Sequence, residues 1–173
     1  IADVSHYVLP DSAMDKEAFK RGNSVYFPDR VVPMLPETVS NGVCSLVPGK
    51  ERLAFSVFIT YDEKGVPIAR RFVKSRIKSK VRFTYDEVGQ IIAGSSTKAP
   101  KEAVKAVLDI TALAGQLRQR RFSLGALDIE IPEMELHLDE NGEMLGCETR
   151  AYDESHWMVE ECMVAANEAV ATE

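Results

Sequence analysis

Tryptophan occurs once in the 173 residues, histidine three times and cysteine three times. Cys44, Cys147 and Cys162 stand far apart with no CxxC spacing, which excludes a disulfide framework or a zinc site and leaves them as expected small core hydrophobes. His6, His137 and His156 are dispersed and have no nucleophile partner nearby in sequence, so a Ser-His or metal-histidine mechanism has no support. No apolar run approaches the roughly 20 residues of a membrane span, and no basic-apolar-small pattern opens the chain. A soluble intracellular protein is expected. Repeats, low-complexity linkers and composition shifts are missing too, so one domain is expected over 1–173. Excess positive charge is also lacking: 21 Lys and Arg face 27 Asp and Glu, for a net charge of −6. That sum counts against nucleic-acid binding, but distribution matters more. Basic residues concentrate in Arg70, Arg71, Lys74, Arg76, Lys78, Lys80 and Arg82, and again in Arg118, Arg120 and Arg121, while acids gather in the last third. Each cluster can equally be a solvated strand face or a helix C-terminus complemented by its dipole.

With 45 % hydrophobic and 28 % charged residues, the chain has enough apolar content for a sizeable core. Val4–Val8 reads as a strand, and Asp11 or Ser12 caps a short helix through Met14, Ala18 and Phe19 that Gly22 ends. Leu53–Tyr61 and Val66–Phe83 alternate apolar and polar residues across Asp62-Glu63-Lys64-Gly65, the pattern of a β-hairpin. Thr84 or Asp86 caps a helix through Val88, Ile91 and Ile92, and Pro100 opens a longer one with Val104, Val107, Leu108, Leu113 and Leu117 at helical spacing. Leu127–Ile131 and Glu135–Leu138 return to strand, Asn141-Gly142 turns into Met144–Thr149, and Asp153 starts a last helix to about Val170. This order predicts an α+β fold, a mixed or antiparallel sheet with helices packed around it. On the last helix Trp157, Glu160, Val164 and Asn167 share one edge, beside an apolar stripe of Met158, Cys162, Ala165 and Ala169.

The densest segment is Arg21–Leu46, RGNSVYFPDRVVPMLPETVSNGVCSL. Tyr26 and Phe27 lie between Arg-Gly-Asn and a Pro-Asp turn, and Pro33 and Pro36 fix the backbone around Met34 and Leu35, so the segment reads as a rigid presenting loop with the Asn41-Gly42 turn as scaffold. This run resembles the ribonuclease II/ribonuclease R family of 3′-to-5′ exoribonucleases, whose RNB catalytic domain carries R-G-x-S-V-Y-x-P-x-R-x-x-P-M-L-P followed by L-S-N-x-x-C-S-L. Further blocks match in order: Ile1–Val8, Arg52–Ser56, Tyr85–Val88, and Ser155–Met163 with Ala165–Ala171. Ser155-His156 and Glu160–Met163 lean toward the ribonuclease R side.

The resemblance implies hydrolysis of single-stranded RNA from the 3′ end to 5′-mononucleotides, with Mg²⁺ as cofactor, a cytoplasmic location and flanking RNA-binding domains in the same parent chain. Tyr26 corresponds to the clamp aromatic that stacks on the 3′ base. Ile129 stands where the second clamp ring is expected and has none. Tyr85 aligns with a ribose-phosphate contact whose hydroxyl reads the 2′-OH, and Glu160 with a second ribose contact. The family's metal-binding D-x-x-x-x-x-D-x-D-D run, expected just before Ile1, is absent here, Asp3 is expected to be structural or to act behind the ligands, and the family's downstream arginine is expected beyond Glu173. No residue here is therefore expected to be catalytic or to bind metal. Ile1 is a poor natural start, so the chain is expected to be an inert fragment of the catalytic domain. Two alternatives stay open: a non-catalytic RNA-binding relative of the same fold, and a protein-interaction module using the Tyr26 loop.

Overall fold

A computed structural model describes residues 1–95, 97–127, 134–149 and 152–173. The chain divides into two compact units. The first comprises Ile1–Ser56, Val73–Lys80 and Pro132–Arg150, and the second Val57–Phe72, Val81–Ile131 and Ala151–Glu173.

In the first unit, Val4–Val8 is not a strand. Val4–His6 forms a 3₁₀ turn, and only Ala2 bridges a strand residue, Ala54. The reason is local: Ser5 Oγ donates to Asp3 Oδ1 at 2.6 Å and His6 N to Asp3 O at 3.2 Å, so short-range bonds override the β-branched pattern. Helix α1 (Ala13–Arg21) begins at Ser12, whose side chain accepts from Asp15 N, and ends at Gly22 with φ 75°. There follow two short antiparallel strands, β1 (Val25–Tyr26) and β2 (Val31–Val32), with Tyr26 opposite Val31. Asn41-Gly42 makes no tight turn; it lies inside a wide helical turn, Thr38–Val43, in which Cys44 N reaches back five residues to Val39 O at 3.0 Å. Strands β3 (Glu51–Tyr61) and β4 (Pro67–Lys78) form a hairpin whose tip is closed in the second unit by Asp62, which accepts from Lys64 N at 2.9 Å and Val66 N at 2.8 Å through Oδ1. β4 stops at Lys78 and not at Phe83, because β3 begins at Glu51; beyond the two strand ends Gly49 N still donates to Ser79 O at 2.8 Å.

The second unit is built on helices α2 (Tyr85–Ile92), α3 (Lys101–Ser123) and α4 (Glu154–Ala171). α2 starts with a reciprocal cap: Thr84 Oγ1 accepts from Glu87 N at 3.2 Å, and Glu87 Oε2 accepts from Thr84 N at 2.7 Å. Val88, Ile91, Val107, Ala114 and Met158 are the buried core, flanked by Phe83, Ile92, Val104, Trp157 and Val159. The helical spacing of Val104 and Val107 thus does its expected work, whereas Leu108 is 44 % exposed. Thr111 enters the core by donating to Val107 O at 2.9 Å and facing Met158 Sδ at 3.1 Å. β5 (Met134–Leu138) and β6 (Met144–Thr149) return to the first unit as an antiparallel hairpin. The expected strand at Leu127–Ile131 lies, from 128 on, outside the described residues.

The α+β class holds, with one difference. Among the described residues the strands form three separate two-stranded sheets and no single larger one. The cysteines also differ from expectation, since Cys147 and Cys162 are exposed and Cys44 is only half-buried. On α4 the buried stripe runs through Ser155, Met158, Glu161 and Ala169, so a charged residue, not Cys162, faces inward. Among the described residues no helix is long and apolar enough to cross a membrane.

Candidate nucleic-acid interface

Tyr26 is 77 % exposed and so is not part of a core. Its hairpin is fixed at several points. Phe27 N donates to Arg30 O at 2.8 Å to close the Pro-Asp turn, and the Arg30 guanidinium lies 5.2 Å over the Phe27 ring. Arg21 Nη1 donates to Pro33 O at 3.0 Å, and Met34 N to Ser24 Oγ at 2.9 Å, so the segment after β2 is tied to the end of α1 and to the residues between α1 and β1. Farther on, Arg52 donates to Ser45 O at 2.9 Å and Gly42 O at 3.3 Å and pins the wide turn. A large ring held in solvent on a braced backbone is a ready stacking platform.

Tyr85 and Glu160, both in the second unit, are joined by two residues that the sequence did not single out as binding groups. Tyr85 opens α2 and stacks on His156 with ring centroids 4.0 Å apart and planes inclined by 14°. Tyr152 tilts against the other side of this set, 5.5 Å from the His156 centroid, and its hydroxyl donates to Glu160 Oε2. His156 is at the same time part of the helix cap. Its Nδ1 lies 2.9 Å from Asp153 Oδ1, and the same oxygen accepts from Ser155 N at 2.9 Å and Ser155 Oγ at 2.5 Å. The Ser155 hydroxyl first, then His156, draw the Asp153 carboxyl down to about 2. Burial first, then the bond to Glu160, push the Tyr152 phenol up to about 12.

Beneath this row lies an ion cluster. Glu161 is 2 % exposed, and Arg121 grips it with Nη2 at 2.6 Å and Nε at 3.2 and 3.3 Å from its two oxygens. The same Nη2 donates to Glu160 Oε1 at 3.1 Å, and Arg118 Nη1 stands 3.7 Å from Glu161. Hydrogen bonding to Glu161 holds the Arg121 guanidinium even more firmly protonated than usual. Arg118 and Arg121 therefore serve buried and half-exposed carboxylates on α4 more than the dipole of their own helix. Nothing local in sequence signals a partner 40 residues away.

The basic run along β4 is likewise partly committed. Arg71 lies 4.7 Å over Phe58, Lys74 pairs with Asp3 at 3.5 Å, Arg76 with Glu51 at 3.4 Å, and Arg70 donates to Thr172 Oγ1. Asp3 is buried, with Ser5 on one oxygen and Lys74 facing the other, and the Ser5 bond leads in lowering its pKa. Among the described residues no three His, Cys, Asp or Glu side chains cluster as a metal site, so these residues do not fit the metal centre of a hydrolase.

The model of the RNB domain matches this α+β chain over residues 1–173. The chain belongs to the RNB-domain family, a family of 3′-to-5′ exoribonucleases. Among its relatives is a ribonuclease R of Thermotoga maritima, 45 % identical over 173 residues, or 99 % of this chain and 24 % of the relative. A ribonuclease R of Chlamydia trachomatis is 40 % identical over 171 residues, with the same shares covered. The structure of Mycoplasma genitalium RNase R in complex with ribose-methylated single-stranded RNA matches with a TM-score of 0.93 at 35 % identity, over 99 % of this chain and 27 % of that one. The chain thus spans about a quarter of the length of the curated relatives it matches.

Proposed function

We propose that this chain, as part of an RNB catalytic domain, supplies RNA contacts to a cytoplasmic 3′-to-5′ exoribonuclease that acts on single-stranded RNA. Tyr26 stacks on the base at the 3′ end, and Tyr85 and Glu160 contact ribose. Stacking on an exposed ring is worth roughly 1–3 kcal/mol per base and tolerates any sequence, as a processive exonuclease requires. A ribose 2′-OH both donates and accepts, so a phenol and a carboxylate can read it where DNA offers no hydroxyl. The RNA in the complex of the Mycoplasma genitalium relative supports RNA as the ligand.

In the reaction, water attacks the 3′-terminal phosphodiester at phosphorus and the preceding 3′-oxygen leaves, which releases a 5′-mononucleotide. Mg²⁺, the cofactor that the family resemblance implies, would supply Lewis-acid chemistry to that step from ligands other than the residues described here. None of the residues described here is assigned to that step; they hold the 3′ nucleotide in place. Flanking RNA-binding domains of the same protein would guide the strand.

The observation that carries this reading is the exposure of Tyr26 on a hairpin tied down by Arg21 and Ser24. It is tested by the affinity of the chain for a short single-stranded RNA and its DNA equivalent, with Tyr26 and with Tyr26→Ala, at two salt concentrations. RNA-selective binding that weakens roughly tenfold on Tyr26→Ala is expected. A folded chain whose affinity is indifferent to Tyr26→Ala would remove the clamp.

A further inference from the structure

Glu160 is held from two sides. Its Oε1 accepts from Arg121 Nη2 at 3.1 Å, and its Oε2 accepts from the Tyr152 hydroxyl. Arg121 is itself locked by the buried Glu161 through Nε and Nη2. Each carboxylate oxygen has two lone pairs, so among the described residues one on each oxygen is left for a further donor in a fixed direction. The Glu160 side chain remains 39 % exposed, enough for a ligand to reach it.

Tyr152 differs from Arg121 in touching both halves of the row. Its hydroxyl holds Glu160, while its ring lies against His156, which stacks face to face on Tyr85. His156 is anchored from below by Asp153, so of the groups around Tyr85 and Glu160 it is Tyr152 that links the two. Tyr152 is 61 % exposed, and removing its hydroxyl leaves no buried polar group without a partner.

We propose that Tyr152 is a specificity-positioning residue: it aims the open lone pairs of Glu160 and braces the His156–Tyr85 stack, so that preference for RNA over DNA depends on a side chain that need not touch the RNA. This rests on the reading of Tyr85 and Glu160 as ribose contacts. A positioning role separates from a structural one because it changes discrimination between ribose and deoxyribose, whereas a structural role changes affinity for both.

The test compares the affinity of the full chain for a short single-stranded RNA and for the same sequence with deoxyriboses, in the unsubstituted protein and in Tyr152→Phe, Tyr152→Leu, Glu160→Gln, Tyr85→Phe and the pair Tyr152→Phe/Glu160→Gln. Tyr152→Phe is expected to lower the RNA-to-DNA affinity ratio roughly threefold to tenfold, the size expected from loss of one partly exposed bond to a charged group, with DNA affinity unchanged. Tyr152→Leu, which also removes the ring, is expected to lower it further, and the pair to be no worse than Glu160→Gln alone. If Glu160→Gln lowers the ratio and Tyr152→Phe does not, the ribose reading stands and the role of Tyr152 falls. If Tyr152→Phe weakens RNA and DNA alike, its role is structural and the proposal is overturned. If the ratio is indifferent to Glu160→Gln and Tyr85→Phe both, the ribose reading fails and takes the proposal with it. Titration of the Tyr152 phenol gives a readout without RNA: it is expected to fall from about 12 in Glu160→Gln, and an unchanged value would show that the hydroxyl does not hold Glu160.

Discussion

Glu161 is a carboxylate inside a helical core, and Arg121 is what keeps it tolerable there. Taking one partner from a buried pair strands the other charge, at a cost of about 3–5 kcal/mol. Arg121→Ala is therefore expected to destabilise the chain by that amount in chemical denaturation, and the same substitution made together with Glu161→Leu to recover most of it. Asp153 carries the pH dependence at this scale. Its folded pKa, about 2, lies below the ordinary 3.8, so its contribution is present above about pH 4 and is lost as pH falls through about 2. The start of α4 should loosen over that window, seen as a loss of helical circular dichroism, and Asp153→Asn should flatten the dependence. The side chain is 53 % exposed, so the effect is modest.

Helix ends were the most legible features of the sequence, because the groups that make them sit within three or four residues of one another. Ser12, Thr84 with Glu87, Asp153 and Gly22 all act where the sequence places them. Two glycines show how differently the same residue type works within an element. Gly22 ends α1 at φ 75° with open space where a side chain would go, so Gly22→Ala is expected to cost about 1 kcal/mol through backbone strain alone. Gly115 lies within α3, and an added Cβ would meet Trp157 Cη2 at 3.8 Å, an ordinary contact. Gly115→Ala is expected to stabilise the chain by up to about 1 kcal/mol, measured as a raised denaturation midpoint without a changed slope. Strands were read less well. Val4–Val8 lost to the bonds of Asp3, and the length of β4 was fixed by where β3 begins, which no property of β4 itself reveals.

Across the whole molecule the motif blocks placed the chain in its family, and they also picked out Tyr26, Tyr85 and Glu160. They did not reveal how Tyr85 and Glu160 are joined, since Tyr152, His156 and Arg121 meet them only through packing between helices. The net charge of −6 was equally uninformative about partners, because several cations of the basic runs are already spent on Asp3, Glu51, Glu160 and Glu161. The hairpin that presents Tyr26 has a colloidal consequence. Val25, Tyr26, Phe27, Val31 and Val32 are each at least 41 % exposed, so a short two-stranded edge rich in β-branched and aromatic residues faces water. Copies of the chain at high concentration should stick to one another through this edge, and a ligand that covers Tyr26 should keep them apart. Light scattering of concentrated samples is expected to fall when short RNA is added and to respond less in Tyr26→Ser, so that the nucleic acid would act as a dispersant for the surface proposed to grip it.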